Sequence, residues 1–248
     1  MRGKRVQDRP PAALPPLAAW GVSADLLPLH GGHRNRVLRT KGSGPTLVFK
    51  STRRSEAALQ WLSDLHDIAR ACGLFVPTMV RSLRGRLAED GWTCEPFVEG
   101  QAATRRDLAA LSRPLGAFHL KTKDICQRPG FASSKVLLVE ARAGDVDLGA
   151  MGKPAARRCR AAWAAVAAGP CSAIHGDLGP ANLMRCPDGR LALLDWDEAR
   201  RDLTLFDRAH IGPCTPLAQQ AVMAWEVACS WQQEPDYAKS LVHLLPAA

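Results

Sequence analysis

Apolar and turn-forming positions divide the chain into short extended runs first and helical runs later. Arg36-Val37-Leu38-Arg39-Thr40 and Thr46-Leu47-Val48-Phe49-Lys50 flank Lys41-Gly42-Ser43-Gly44-Pro45, which predicts two strands joined by a turn. Ser55 then stands before Ala57, Ala58, Leu59, Trp61, Leu62 and Leu65, spaced as one face of a helix with a serine cap. Cys72-Gly73 ends that helix. Val76-Pro77-Thr78-Met79-Val80 reads as the start of a strand, Asp90-Gly91 as a hairpin turn, and Trp92–Val98 as a strand halted by Pro96 and freed at Gly100. Residues 104–120 carry Leu108, Leu111, Leu115, Phe118 and Leu120 on one side and predict a helix. Residues 127–147 show no sharp period. Helices are predicted again over the alanine-rich Pro154–Ala168, with Arg157, Arg158 and Arg160, and over Ala218–Gln233. There are no internal repeats.

Composition narrows the class. A chain of 248 residues is long enough for one large domain or two small lobes. No apolar run approaches the ~18 residues of a membrane span, and the longest candidate, Ala161–Ile174, is broken by Gly169-Pro170. Residues 1–20 start basic but carry Pro10, Pro11, Pro15 and Pro16, so a flexible lead-in is expected there. The eight cysteines contain no Cys-x-x-Cys pair, which favours reduced thiols and a cytoplasmic enzyme over a zinc or disulfide scaffold. Net charge is +9, but it is uneven. Residues 1–95 hold 15 Lys and Arg against 8 Asp and Glu, whereas residues 195–248 hold 4 against 8. A basic front facing phosphates and an acidic tail facing a cationic substrate fit this gradient, as do plain solvated surfaces. Nucleic acid is not an expected partner.

The chemistry concentrates in Ile174–Ala199. His175, Asp177 and Asn182 form His-x-Asp-x4-Asn; the turn Pro187-Asp188-Gly189 follows; Asp195 then ends the apolar run Leu191–Leu194. Phosphoryl transfer from a nucleotide needs such a set: a carboxylate to take the attacking hydroxyl's proton, and an amide oxygen with a second carboxylate for Mg2+. Asp177 is assigned as base, Asn182 and Asp195 as metal ligands, and His175 as the brace of the loop. Gly31, Gly32 and His33 precede the first strand of the 36–50 hairpin, where backbone N–H groups can approach a phosphate.

His-Gly-Asp-x4-Asn followed by Leu194-Asp195-Trp196-Asp197 resembles the aminoglycoside phosphotransferase and choline kinase family. Protein kinases place Arg after the motif's His and Phe-Gly after the metal Asp; this chain has Gly176 and Trp196-Asp197, as in the small-molecule branch. The resemblance implies an α+β, bilobal protein-kinase-like fold. It divides into a small antiparallel-sheet lobe over 21–95, a hinge over 96–100 and a mainly helical lobe over 101–248. It also implies ATP as co-substrate, Mg2+, and a small-molecule hydroxyl as acceptor, such as an aminoglycoside-like antibiotic or another amine-bearing alcohol. By the same resemblance Lys50 contacts the phosphates. Glu56, the first carboxylate after it, is then its helix partner, and adenine is met at Glu95, Phe97 and Val98. Asp202 or Asp207 is then the acid that buttresses the catalytic loop. Asp197 either assists the metal or forms a salt bridge, and Glu226, Glu234 and Asp236 are candidate acceptor contacts. A kinase-like module that binds nucleotide without turnover is the alternative.

Overall fold

A computed structural model describes residues 13–29 and 35–246. The first half builds one sheet from β1 (Asp25–Pro28), β2 (Val37–Lys41), β3 (Leu47–Ser51), β4 (Ala88–Glu89) and β5 (Trp92–Pro96), with α1 (Glu56–Ala71) inserted after β3. The strands lie in the order β1-β2-β3-β5-β4, with every pairing antiparallel. Alternation along β2, β3 and β5 turns Leu38, Phe49, Trp92 and Cys94 into one small core. Trp20 completes it, edge-on to Phe49 at 5.3 Å and donating from Nε1 to Val80 O at 3.0 Å. The end of the expected lead-in is therefore ordered: Leu17–Trp20 is a 3-10 turn that delivers this tryptophan.

α1 forms as its pattern predicts. Ser55 Oγ accepts from Ala58 N, and the chain leaves the helix through Gly73 at φ +90°. Its packing is less expected. Leu62, Leu65 and Ala69 join Leu108, Leu111, Leu115, Phe118 and Trp196, so the helix is welded to the second lobe rather than to the sheet. The strand expected at Val76–Val80 does not form. Pro77 has no N–H for a ladder, and the segment is held by isolated bonds instead: a bridge from Phe75 to Ala192, Val80 N to Cys94 O at 2.8 Å, and the side chains of Arg70 and Trp20 on the carbonyls of Val76 and Val80.

The second lobe opens with β6 (Gln101–Ala102), reached through Gly100. A Cβ at Gly100 would lie 2.4 Å from Arg185 O, so the linker passes here only without a side chain. The helix expected over 104–120 splits into a 3-10 turn, Asp107–Leu111, and α2 (Ser112–Lys121), which places Pro114 in its first turn, where a missing N–H costs nothing. Then come the hairpin β7 (Arg142–Ala143) and β8 (Val146–Asp147), α3 (Lys153–Ala164), β9 (Cys171–Ile174), β10 (Leu183–Arg185), β11 (Leu191–Leu193), β12 (Arg200–Leu203), α4 (Leu205–Ile211), α5 (Pro216–Ser230) and α6 (Pro235–Val242). α6 has no counterpart in the sequence reading. Trp163, Phe206 and Trp225 centre the core of α3, α4 and α5. Arg158 and Arg160 hold the carbonyls of Leu245, Leu137 and Glu140, so these two arginines serve as tethers. All eight cysteines are free thiols. Among the described residues no helix is long and apolar enough to cross a membrane.

Candidate active site

The His175–Asn182 loop leaves β9 and is held from below by Asp207 of α4. One Asp207 oxygen accepts from His175 N at 2.9 Å and from His119 Nε2 at 2.9 Å; the other accepts from Gly176 N at 3.0 Å. Burial alone would raise the pKa of this fully buried carboxyl. The His119 hydrogen bond and the neighbouring imidazoles outweigh burial and hold it below the usual range. Of the two acids considered as buttress, Asp207 contacts the loop, whereas Asp202 accepts from Ser134 and Arg200.

His175 is fully buried. Its Nδ1 accepts from Asp177 N at 3.3 Å, which assigns the ring proton to Nε2, and Nε2 donates to Leu194 O at 2.9 Å. One imidazole thus ties the backbone of Asp177 to that of the segment carrying Asp195. Gly176 has φ +84°, and a Cβ there would meet Glu198 O at 2.6 Å and Arg200 Nη1 at 2.7 Å. The space beside position 176 is filled by Arg200, buried against the Trp225 ring with its guanidinium carbon 3.5 Å from the ring centre.

Asp177 itself is exposed. Asn182 Nδ2 donates to Asp177 O at 2.8 Å and to Asp177 Oδ2 at 2.9 Å. Both amide hydrogens are thereby committed, and Oδ1 remains as an acceptor. Pairing of β10 with β11, extended by Leu194 N to Asn182 O at 2.8 Å, brings Asn182 and Asp195 to the same end of one hairpin. Asp195 adopts φ +56°, ψ 67°, a left-handed conformation that aspartate tolerates better than most residues. It ends the strand and starts the 3-10 turn Trp196–Glu198. These two residues offer oxygen donors only, and among the described residues no cluster of three His, Cys, Asp or Glu is arranged for a metal. Such a sparse oxygen set fits Mg2+, which keeps waters and shares its shell with phosphate.

Lys50 Nζ lies 3.7 Å from Asp195 Oδ1 and 3.2 Å from Glu95 Oε1. The expected pairing of Lys50 with Glu56 is corrected. Glu56 sits at the exposed start of α1 and accepts from Leu87 N at 2.9 Å. Burial alone would lower the pKa of Lys50; Glu95 and then Asp195 more than compensate and raise it. Lys50, Glu95, Asp195, Asp197 and Asn35 line one cleft with Leu59, Leu62, His66 and Trp196. Gly31, Gly32 and His33 lie outside the described residues.

The hinge is likewise more specific than expected. Phe97 N donates to Thr46 O at 2.9 Å, so this N–H points toward β3 and is unavailable to a base. Alternation then turns the Pro96 carbonyl toward the opposite edge, as for Cys94, whose carbonyl accepts from Val80 N. The Phe97 ring is covered by the Arg39 guanidinium at 5.3 Å.

Sequence reasoning missed two arginines. Arg54 grips Asp197 through Nε at 3.2 Å and Nη2 at 3.1 Å, and Asp145 through Nη1 at 2.7 Å. Burial alone would raise the pKa of Asp197; Arg54, Arg128 and a hydrogen bond from Asn35 outweigh it and lower it. Asp197 is therefore a salt-bridge residue. Arg128, almost fully buried, donates to the carbonyls of Ala58, Asp197 and Ala199 at 2.8–3.2 Å, pinning the start of α1 to the segment after Asp195. Burial pushes its pKa down to about 10. It lies in a stretch with no period, where sequence offers no signal.

A small antiparallel sheet, a hinge and a helical lobe around such a loop define a protein-kinase-like fold. The family model described as "Phosphotransferase enzyme family" matches residues 25–238, and the chain belongs to that family. The fold is similar to the microcompartment-associated aminopropanol kinase, with 15% identity, a TM-score of 0.61, and 92% of this chain and 91% of that one covered. It is similar also to a putative fructosamine-3-kinase from Thermobifida fusca, with 16% identity, a TM-score of 0.58 and coverage of 89% and 91%. A spectinomycin phosphotransferase bound to ADP and spectinomycin gives 10% identity, a TM-score of 0.55 and coverage of 92% and 91%. No curated protein sequence matches the chain.

Proposed function

We propose that this chain is an ATP- and Mg2+-dependent kinase that phosphorylates a hydroxyl of a small molecule, an aminoglycoside-like or other amine-bearing alcohol. The observation that carries this reading is the meeting of Lys50 with Asp195 at 3.7 Å, in a cleft beside the loop whose Asp177 and Asn182 are hydrogen-bonded to each other. Lys50 neutralises phosphate charge. Asp177 takes the acceptor's proton as its oxygen bonds to the γ-phosphorus and the bond to the β,γ-bridging oxygen breaks, releasing ADP. Asn182 Oδ1 and the Asp195 carboxylate would hold Mg2+, which when bound offsets charge on the β- and γ-phosphates. Adenine meets the Pro96 carbonyl and Val98 at the hinge.

An ATP-consumption assay across amine-bearing alcohols tests the reading. Asp177→Asn should lower kcat by about 10³-fold with an unchanged melting temperature. A variant that turns over within tenfold of wild type removes Asp177 as base. The rival, a nucleotide-binding module without turnover, is favoured if MgATP raises the melting temperature while no acceptor is phosphorylated.

A further inference from the structure

We infer that Glu95, on a strand of the sheet, is the positioning residue that holds the phosphate-binding Lys50, in place of a carboxylate from helix α1. The inference rests on the kinase reading for the role of Lys50, but not for the existence of the pair.

Three observations converge. First, register makes the pair. Lys50 stands opposite Thr93 in the β3–β5 ladder, and Val48 opposite Glu95. Lys50 and Glu95 are thus diagonal neighbours on one sheet face, within reach of two long side chains, and they close to 3.2 Å. Second, the face of α1 turned to the cleft has no carboxylate to give. It presents Leu59, Leu62 and His66, and His66 is buried with neither ring nitrogen hydrogen-bonded. Third, Glu56 is spent on Leu87 N. α1 packs into the second lobe's core, so a lysine tied to it would be tied across the cleft. Tied to Glu95, the lysine and its partner belong to one sheet and move with it. Lys50 then keeps its partner however the lobes sit.

The test uses the full chain with two readouts. In the kinetic arm, Glu95→Gln should lower kcat/KM for MgATP by on the order of tenfold or more, with Glu95→Asp recovering part of it and Glu56→Gln losing at least several-fold less. In the activity-independent arm, trinitrobenzenesulfonate labelling of Lys50 is followed by mass spectrometry at mildly alkaline pH. Loss of the carboxylate 3.2 Å away frees the amine to meet the reagent, so Glu95→Gln should label several-fold faster than wild type, and Glu56→Gln at the wild-type rate. Equal labelling in Glu95→Gln and wild type, or a greater kinetic loss in Glu56→Gln, overturns the inference. Faster labelling in Glu95→Gln while wild type phosphorylates nothing sinks the kinase reading and leaves the pair standing.

Discussion

The two lobes invest unequally in their cores. Among the described residues the sheet buries a cluster of five, Trp20, Leu38, Phe49, Trp92 and Cys94, whereas the helical lobe has two clusters of sixteen and eighteen. The smaller of these two, near the cleft, also takes in Leu62, Leu65 and Ala69 of α1. A helix that lies between β3 and β4 in sequence is therefore, energetically, part of the other lobe. The lesson is that apolar burial, not chain order, decides which elements form a unit. The sheet is the lightly anchored part, and it carries Lys50 and Glu95. The His175–Asn182 loop sits on the heavily anchored part, with Asp207 beneath it, and Arg128 holds the segment after Asp195.

The contrast breaks most sharply at the tryptophans. Trp163→Ala, in the α3–α5 core with Nε1 donating to Ala221 O at 3.2 Å, should cost about 3–5 kcal/mol and lower the melting temperature of the whole chain. Trp20→Ala should cost less globally and show mainly as a smaller stabilisation by MgATP. Equal losses in melting temperature from both would mean that the lobes unfold as one unit.

A second measurement probes the interface between the lobes. Burial, then the charges of Arg70 and Lys50, push the pKa of His66 down to about 3. The unfolded imidazole binds a proton below about 6.5 while the folded one does not, so stability falls as pH drops through that window. Between about pH 6.5 and 5 this residue should cost about 2 kcal/mol, and His66→Leu should flatten the loss in urea unfolding. An unchanged slope in the variant would assign the acid sensitivity elsewhere. The smallest effect is at the cap: Ser55→Ala should lower unfolding free energy by about 1 kcal/mol, read by the same urea titration, since its Oγ satisfies Ala58 N.

Local pattern made much of this legible. The hairpin of β2 and β3, the cap and stop of α1, and the His175–Asp195 motif are all written in neighbouring residues. What escaped was set by partners distant in sequence. Glu56 is the nearest acid to Lys50 along the chain, yet register selects Glu95. Val76–Val80 has β-forming residues but no neighbour to pair with beyond single bonds. Arg128 gains its role only from carbonyls of Ala58, Asp197 and Ala199, which no spacing rule connects to it. Asp202 and Asp207 look alike in sequence; only the turn into α4 carries one of them under the loop.

The carbonyl of Glu198 and the guanidinium of Arg200 together occupy the volume that any side chain at 176 would claim. Trimming Arg200 from its seat on Trp225 would remove only one of the two obstacles, since main chain supplies the other and the left-handed backbone at 176 resists a side chain in any case. Exchanging this loop for one with an arginine after its histidine therefore demands that the turn following Asp195 be rebuilt as well.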